Sequence, residues 1–297
     1  MMYQGELAAI LTAVCWSFNS VVFSKAGNRV GSKTVNHIRL WIATIALATI
    51  HLIIFGFPFP LPIEDWRFFY LALSGIIGLI IGDGLLFESF VLIGPRISML
   101  LMLLTPIFGS IMAWIAIGEK LQWVEIAGIV ITVAGIGLVI SERGEHREGG
   151  SKKYALGILL GAGGAAGQAG GLLFSKMGMA GGFSAVSASL VRISVSALIL
   201  GAIFLVRGLI PSEIKKMKDK KAFVQILSGS LVGPVLGIVL SLVAIANTHI
   251  GVASTLMSLA PIILIPVSKI FFKEKITIQA VTGTLIATAG AAMLFFL

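Results

Sequence analysis

An all-α integral membrane protein of ten transmembrane helices, built as two inverted five-helix repeats, is the fold that this 297-residue sequence predicts. Three observations carry it. Hydrophobic residues make up 57% of the chain and charged residues only 12%, against roughly 25% charge in a soluble domain, and the mean hydropathy is +1.03. Apolar runs of about 20 residues, one bilayer thickness as a helix, recur from end to end. The pattern of the first half then returns in the second.

Windows of about 19 residues predict helices over 5–25, 34–55, 66–90, 95–117 and 121–141, and a second set over 154–176, 184–207, 222–247, 250–272 and 276–297. The alternation of a transmembrane barrel is absent. The opening "MMYQGELAAILTAVCWSF" has no basic n-region and no small-residue cleavage pattern, so it reads as a retained first helix. Between the sets lies "SERGEHREGGSKK", the longest run of charge and glycine. The expected organisation is a first repeat over 1–141, a cytoplasmic linker over 142–153 and a second repeat over 154–297.

The internal matches stay in order, with an offset that drifts only from 151 to 155 and changes where loops are expected. "FSKAG" at Phe23 returns as "FSKMG" at Phe174, and Arg39 as Arg192. "LTP" ending at Pro106 returns as "LAP" ending at Pro261, "GEKL" at Gly118 as "KEKI" at Lys273, and Gly128 and Gly135 as Gly283 and Gly290. Five spans per copy is an odd number, so the second copy enters the bilayer from the opposite side. Inverted repeats suit secondary transporters, whose halves exchange conformations around a shared midplane site.

Lys and Arg sort strongly by side. One side has only Arg67, Lys120 and Lys176, and every other loop Lys or Arg falls on the opposite side. By the positive-inside bias the richer side is cytoplasmic and both termini are external. The net charge of +9 therefore finds its partner in anionic lipid headgroups, and nucleic acid is not expected. The expected location is a cell membrane, as a multi-pass protein of a prokaryotic cytoplasmic membrane. Cys15 is the one cysteine and lies in the first span, which leaves neither a disulfide framework nor a cysteine metal site.

The halves have proline-centred fourth helices, followed in the first copy by "WIAIGEKLQWVEIAGIVITVAGIGLVI" from Trp114 to Ile140. With these features the chain resembles the EamA family of the drug/metabolite transporter superfamily over essentially its whole length. The most specific part is the proline, Gly-Glu and glycine pattern from Pro106 to Ile140, and the second copy departs in carrying Lys273 where Gly118 would repeat. The resemblance implies a ten-helix exporter or exchanger of small metabolites. Many family members have cytoplasmic termini, and the charge distribution here points the other way.

"LIIGDGLLFESF", Leu79–Phe90, buries Asp83 and Glu88 in an apolar run, where an ionised carboxylate needs compensation. At 1.5 Å per residue Asp83 and Arg39 lie at about the same depth, roughly 10 Å inside the cytoplasmic face. They are expected to pair, and Glu88 with Arg96 is the second expected ion pair. A structural pair and a proton-binding Asp83 both fit. Arg192 repeats Arg39, but Ile238 and Val243 stand at the positions of Asp83 and Glu88. Arg192 is therefore open to a substrate carboxylate or phosphate, to snorkelling, or to Glu6 or Glu125.

Pro106 and Pro261 free the carbonyls of Met102 and Met257 from helical partners and are expected to kink their spans, toward a polar cavity or against a neighbouring helix. Trp16, Asn19 and Gln168 are the midplane groups suited either to an amphipathic solute or to interhelical hydrogen bonds. The expected cavity wall is Trp16, Asn19, Phe87, Met102, Gln168, Met257 and Ser258, with Arg192 as the anion-sensing group and Asp83 as the proton site. "GAGGAAGQAGG", Gly161–Gly171, reads as a close-packing face. Glu119 and Glu274 read as structural carboxylates at helix starts, and "RGLIPSEIKKMKDKK" as a lipid-facing basic loop.

Enzyme constellations are absent. "IIGDG" has Ile80 where an intramembrane aspartyl protease needs glycine, and no Tyr-Asp pair occurs. His37, His51, His146 and His249 are scattered without zinc spacing. No ATP-binding motif, cofactor or metal is expected, and transport would run on a gradient. The predicted function is a secondary transporter of small organic metabolites such as amino acids. A channel, or a lipid-handling or scaffold protein without a solute cavity, is the alternative.

Overall fold

A computed structural model describes residues 3–117, 122–144, 151–247, 250–274 and 276–294, and among them every regular element is helical. The first half contains α1 (Gln4–Val30), α2 (Ser32–Phe55), α3 (Asp65–Gly75), the π-helical segment π1 (Ile76–Gly82) and α4 (Asp83–Ile93), followed by α5 (Pro95–Leu101), α6 (Leu104–Ile117) and α7 (Trp123–Gly144). The second half contains α8 (Ser151–Gly178), α9 (Ala185–Val206), α10 (Ile210–Lys216), α11 (Lys220–Ser230), π2 (Leu231–Gly237) and α12 (Ile238–Asn247). It closes with α13 (Ile250–Met257), α14 (Ala260–Phe271) and α15 (Ile278–Met293). Seven helices among the described residues are long and apolar enough to cross a membrane, from Gln4–Val30 to Ala185–Val206. Of the regions expected as the last three spans, the first two are assembled from shorter helical pieces, and the described part of the last is the single helix α15.

Local chemistry sets the ends. Gly31, at φ 90°, is the whole connection between α1 and α2. Gly56 adopts the left-handed conformation and donates its N–H to Leu52 O at 2.9 Å, closing α2. Asp219 caps α11 through the amides of Lys221 and Ala222, and Thr277 caps α15 through Ala280 N at 3.1 Å. "RGLIPSEIKKMKDKK" is not all loop, because Pro211 sits in the first turn of α10 and that helix folds inside it.

The fourth segment of each half is broken, not kinked. α5 stops at Leu101 and α6 restarts at Leu104; α13 stops at Met257 and α14 restarts at Ala260. Pro106 lacks the amide that Met102 O would take in a continuous helix, and Thr105 N takes that carbonyl instead at 3.0 Å in a tighter turn. The freed carbonyl expected at Met102 is thus occupied.

Equivalent helices of the two halves lie against each other and run antiparallel. On α2 and α9, His37 faces Gly201 and Phe204 while His51 bonds Ser187. On α7 and α15, a Cβ at Gly128 would lie 2.8 Å from Gly290 O, and one at Gly283 would lie 2.6 Å from Val139 Cγ2. The first helix of each half packs on the third segment of the other: α1 on α11, π2 and α12, and α8 on α3, π1 and α4. The glycine face of α8 makes this possible, since a Cβ at Gly167 would stand 2.6 Å from Gly82 Cα.

Candidate functional site

Asp83 is the first residue after π1. A π turn adds a residue to the helical repeat and shifts backbone groups off their usual ladder. Two carbonyls in π1 are reached by side chains, Gly78 O by Gln168 Nε2 at 3.2 Å and Leu79 O by Asn36 Nδ2 at 3.1 Å. Both oxygens of the buried Asp83 carboxylate are also taken. Arg39 Nη2 donates to Oδ2 in an ion pair, and Gln168 Nε2 donates to Oδ1. Arg39 is held in turn by Asn36 Oδ1, at 3.0 Å from its Nε, and by the ring of Phe87, 4.8 Å below the guanidinium. Arg39 and Asp83 are each only 6% exposed, so each charge depends on the other.

Arg192 joins this cluster from the second half. A Cβ on Gly78 would lie 3.5 Å from its Nη2 and 3.9 Å from Gln168 Oε1, so the guanidinium packs over the glycine of π1. Nη1 makes a long 3.4 Å hydrogen bond to Ser175 Oγ, and Nε is buried with no hydrogen-bond partner among the described residues. Asp83 attracts Arg192 electrostatically but is already paired with Arg39. Glu125, one of the carboxylates considered for Arg192, accepts from Gln122 N at 2.7 Å at the start of its own helix. Among the described residues of this cluster, two guanidiniums thus draw on the Asp83 carboxylate, in a region where charge is costly.

The other expected wall residues divide. Trp16 and Asn19 face π2: a Cβ at Gly237 would lie 3.2 Å from Trp16 Nε1, and one at Gly233 would lie 2.6 Å from Asn19 Cγ. Asn19 Oδ1 is buried without a partner among the described residues. Phe87 is 5% exposed, stacks on Phe90 and meets Phe23 at a tilt, with half-buried Met102 packed on the same cluster. Met257 is buried against Ala8, Ala9, Ala244 and Ala253, and Ser258 Oγ donates to Thr255 O at 2.8 Å. Asp83, Arg39, Gln168 and Arg192 thus converge at π1, with Phe87 reached through Arg39, while Met257 and Ser258 belong to a different packing group.

One expected ion pair is replaced. Arg96 Nε pairs with Glu274 Oε2 at 3.0 Å, and Glu88 accepts from Ser32 Oγ instead. Gly94, at φ 84°, turns the chain so sharply that Arg96 opens α5 directed at the second half, away from Glu88 on α4. Glu119 lies outside the described residues. Sequence reasoning missed Asn36 and Ser175. Asn36 was recoverable, being three residues before Arg39 and so on the same helical face; Ser175 carried no local signal.

The profile of the EamA-like transporter family matches residues 3–141 and again residues 155–296. The chain belongs to the EamA-like transporter family. It is an integral, multi-pass membrane protein, and its family handles small-molecule solutes across membranes. No curated protein matches this EamA-like chain. A solved structure described only as "Crystal structure of protein" is similar over 99% of this chain and 98% of that chain, with a TM-score of 0.63 and 14% identity. That likeness establishes a shared fold for the EamA-like protein and nothing about its solute.

Proposed function

We propose that this EamA-like protein is a secondary transporter of small organic metabolites such as amino acids, working by alternating access between its two halves. The antiparallel packing of equivalent helices, α2 on α9 and α7 on α15, is the observation that carries this reading. Halves related in this way can exchange conformations and so expose one site to each side in turn. The ten spans form two inverted five-helix units, 1–141 and 154–297, joined by the linker 142–153. The face bearing Gly31 and Gly94 is cytoplasmic and both termini are external, by the distribution of Lys and Arg.

The solute site is the region between π1 and π2, with Trp16, Asn19, Gln168 and Arg192 as its polar and aromatic contacts. A solute carboxylate or phosphate would supply the charge that Arg192 lacks. Asp83 is the candidate proton site, since protonation would remove the charge that holds Arg39. Counterflow tests the reading: purified protein in liposomes preloaded with unlabelled solute should accelerate entry of the labelled solute, for at least one member of an amino-acid and organic-acid panel. Non-saturable flux without counterflow would identify a channel, and no flux with any solute would favour a scaffold.

A further inference from the structure

Helix pairing between the halves is symmetric for α2 with α9 and for α7 with α15, but not for the broken segments. α2 meets α9 at both ends, through His37 beside Phe204 and through His51 bonded to Ser187. α7 and α15 touch along their length, from Gly128 beside Gly290 to Val139 beside Gly283. The broken segments behave differently. α5 packs on α14 near the Gly31 face, while no comparable packing joins their repeat counterparts, α13 and α6, among the described residues. A contact made at one face and not at its symmetric equivalent marks where two states of an inverted repeat differ.

Arg96 and Glu274 hold that contact. The pair spans the halves at 3.0 Å with Arg96 3% and Glu274 14% exposed at the side chain. The backbone on both sides is shaped for it. A Cβ at Gly94 would lie 3.4 Å from Glu274 Oε1, so the glycine lets the carboxylate approach. Lys273 adopts φ 52°, a left-handed conformation that costs a non-glycine residue about 1 kcal/mol or more, and the next amide, Glu274 N, closes on Ser268 O at 3.3 Å. The sequence repeat does not offer the same pair at the other face, because Gly251 stands where Arg96 would recur. Arg29 with Asp219 at 2.8 Å and Lys216 with Thr34 at 3.5 Å add further links between the halves at the same face.

We propose that the Arg96–Glu274 ion pair is a latch that holds the Gly31 face closed, and that parting α5 from α14 is the step that opens it. This rests on the transporter reading above. Both groups are largely withdrawn from water, so the pair must be re-solvated before the face can open, and neutralising one member removes the attraction while leaving the other charge to seek water.

Distances between spin labels on the full-length protein in liposomes test it. With Cys15→Ala as background, labels at Leu92, in the last turn of α4 beside the Gly94 corner into α5, and at Ile270, on the exposed side of α14, report the separation of that corner from α14. Glu274→Gln should raise the population of a longer-distance component by about tenfold. The charge-swapped Arg96→Glu/Glu274→Arg protein should return it toward the original distribution. Unchanged distances in Glu274→Gln, or a swapped pair as separated as the single variant, would overturn the latch. Recovery in the swapped protein cannot arise from misfolding, and the measurement needs no solute, so it fails or succeeds independently of counterflow.

Discussion

Glu213, on the short helix α10, accepts a 2.8 Å hydrogen bond from Nδ1 of His37 on α2, with both side chains about 5% exposed or less. Trp41 settles which ring nitrogen carries the hydrogen. Its indole N–H can only donate and lies 2.9 Å from His37 Nε2, so Nε2 accepts and Nδ1 donates to Glu213. Phe204 stacks on the imidazole from α9. The Glu213 carboxylate thus helps fasten the α9–α11 connection onto the first half, beside the Arg29–Asp219 and Lys216–Thr34 links.

Removing that carboxylate strands a buried N–H. Glu213→Ala should destabilise the protein by about 1–3 kcal/mol, whereas Glu213→Gln, which retains an acceptor oxygen, should lose much less. Thermal unfolding of the two variants in detergent provides the comparison, and equal losses would show that the acceptor is not what matters.

Arg192 should discriminate solutes by charge. Arg192→Ala should raise KM for carboxylated solutes by about tenfold or more, the scale of a lost charge-assisted hydrogen bond, with little change for an amide analogue of the same solute. Uptake by liposomes measured with the two analogues checks it. Equal effects on both would remove Arg192 from the anion-recognition role.

Close approach of α8 to π1 is expected to tolerate no side chain. Gly167→Ala should cost about 1–3 kcal/mol, because the new Cβ meets backbone at 2.6 Å rather than a movable side-chain end. Gly137 on α7 has nothing within 4 Å of its Cβ direction, and Gly137→Ala should stabilise by about 0.4–1 kcal/mol. Paired melting curves decide both.

Asp219 should make stability depend on acid. Its hydrogen bond from Arg29 and those from the Ala222 and Lys221 amides hold its carboxyl below the usual range. A carboxyl depressed in the folded state stabilises above its unfolded value, near 4, and loses that contribution as pH falls through the lower folded value. Asp219→Asn keeps a good helix cap but loses the charge, so its melting temperature should fall less than that of the parent between pH 6 and pH 3. Parallel slopes would deny Asp219 this role.

Depth along neighbouring spans was enough to bring Arg39 and Asp83 to one level, because helix rise is a local quantity that a sequence carries. The same arithmetic failed for Arg96. Its nearest acidic residue along the chain, Glu88, went to Ser32, and its partner Glu274 lies in the other half. The α10 helix was hidden for a similar reason: seven residues in a basic loop offer no periodic signal, and Glu213 acquires meaning only beside His37.

The sequence by itself determined the membrane environment, the repeat and the set of charges that must find partners, since apolar length, internal register and desolvation cost depend only on which residues follow one another. Tertiary structure alone decided the partners. It broke the proline helices, aligned the π segments of the halves with the first helix of the other, and left Arg192 sharing a carboxylate already paired with Arg39. Pairing energies depend on side-chain separations of a few ångströms across elements far apart in sequence, and those separations exist only once the halves have packed.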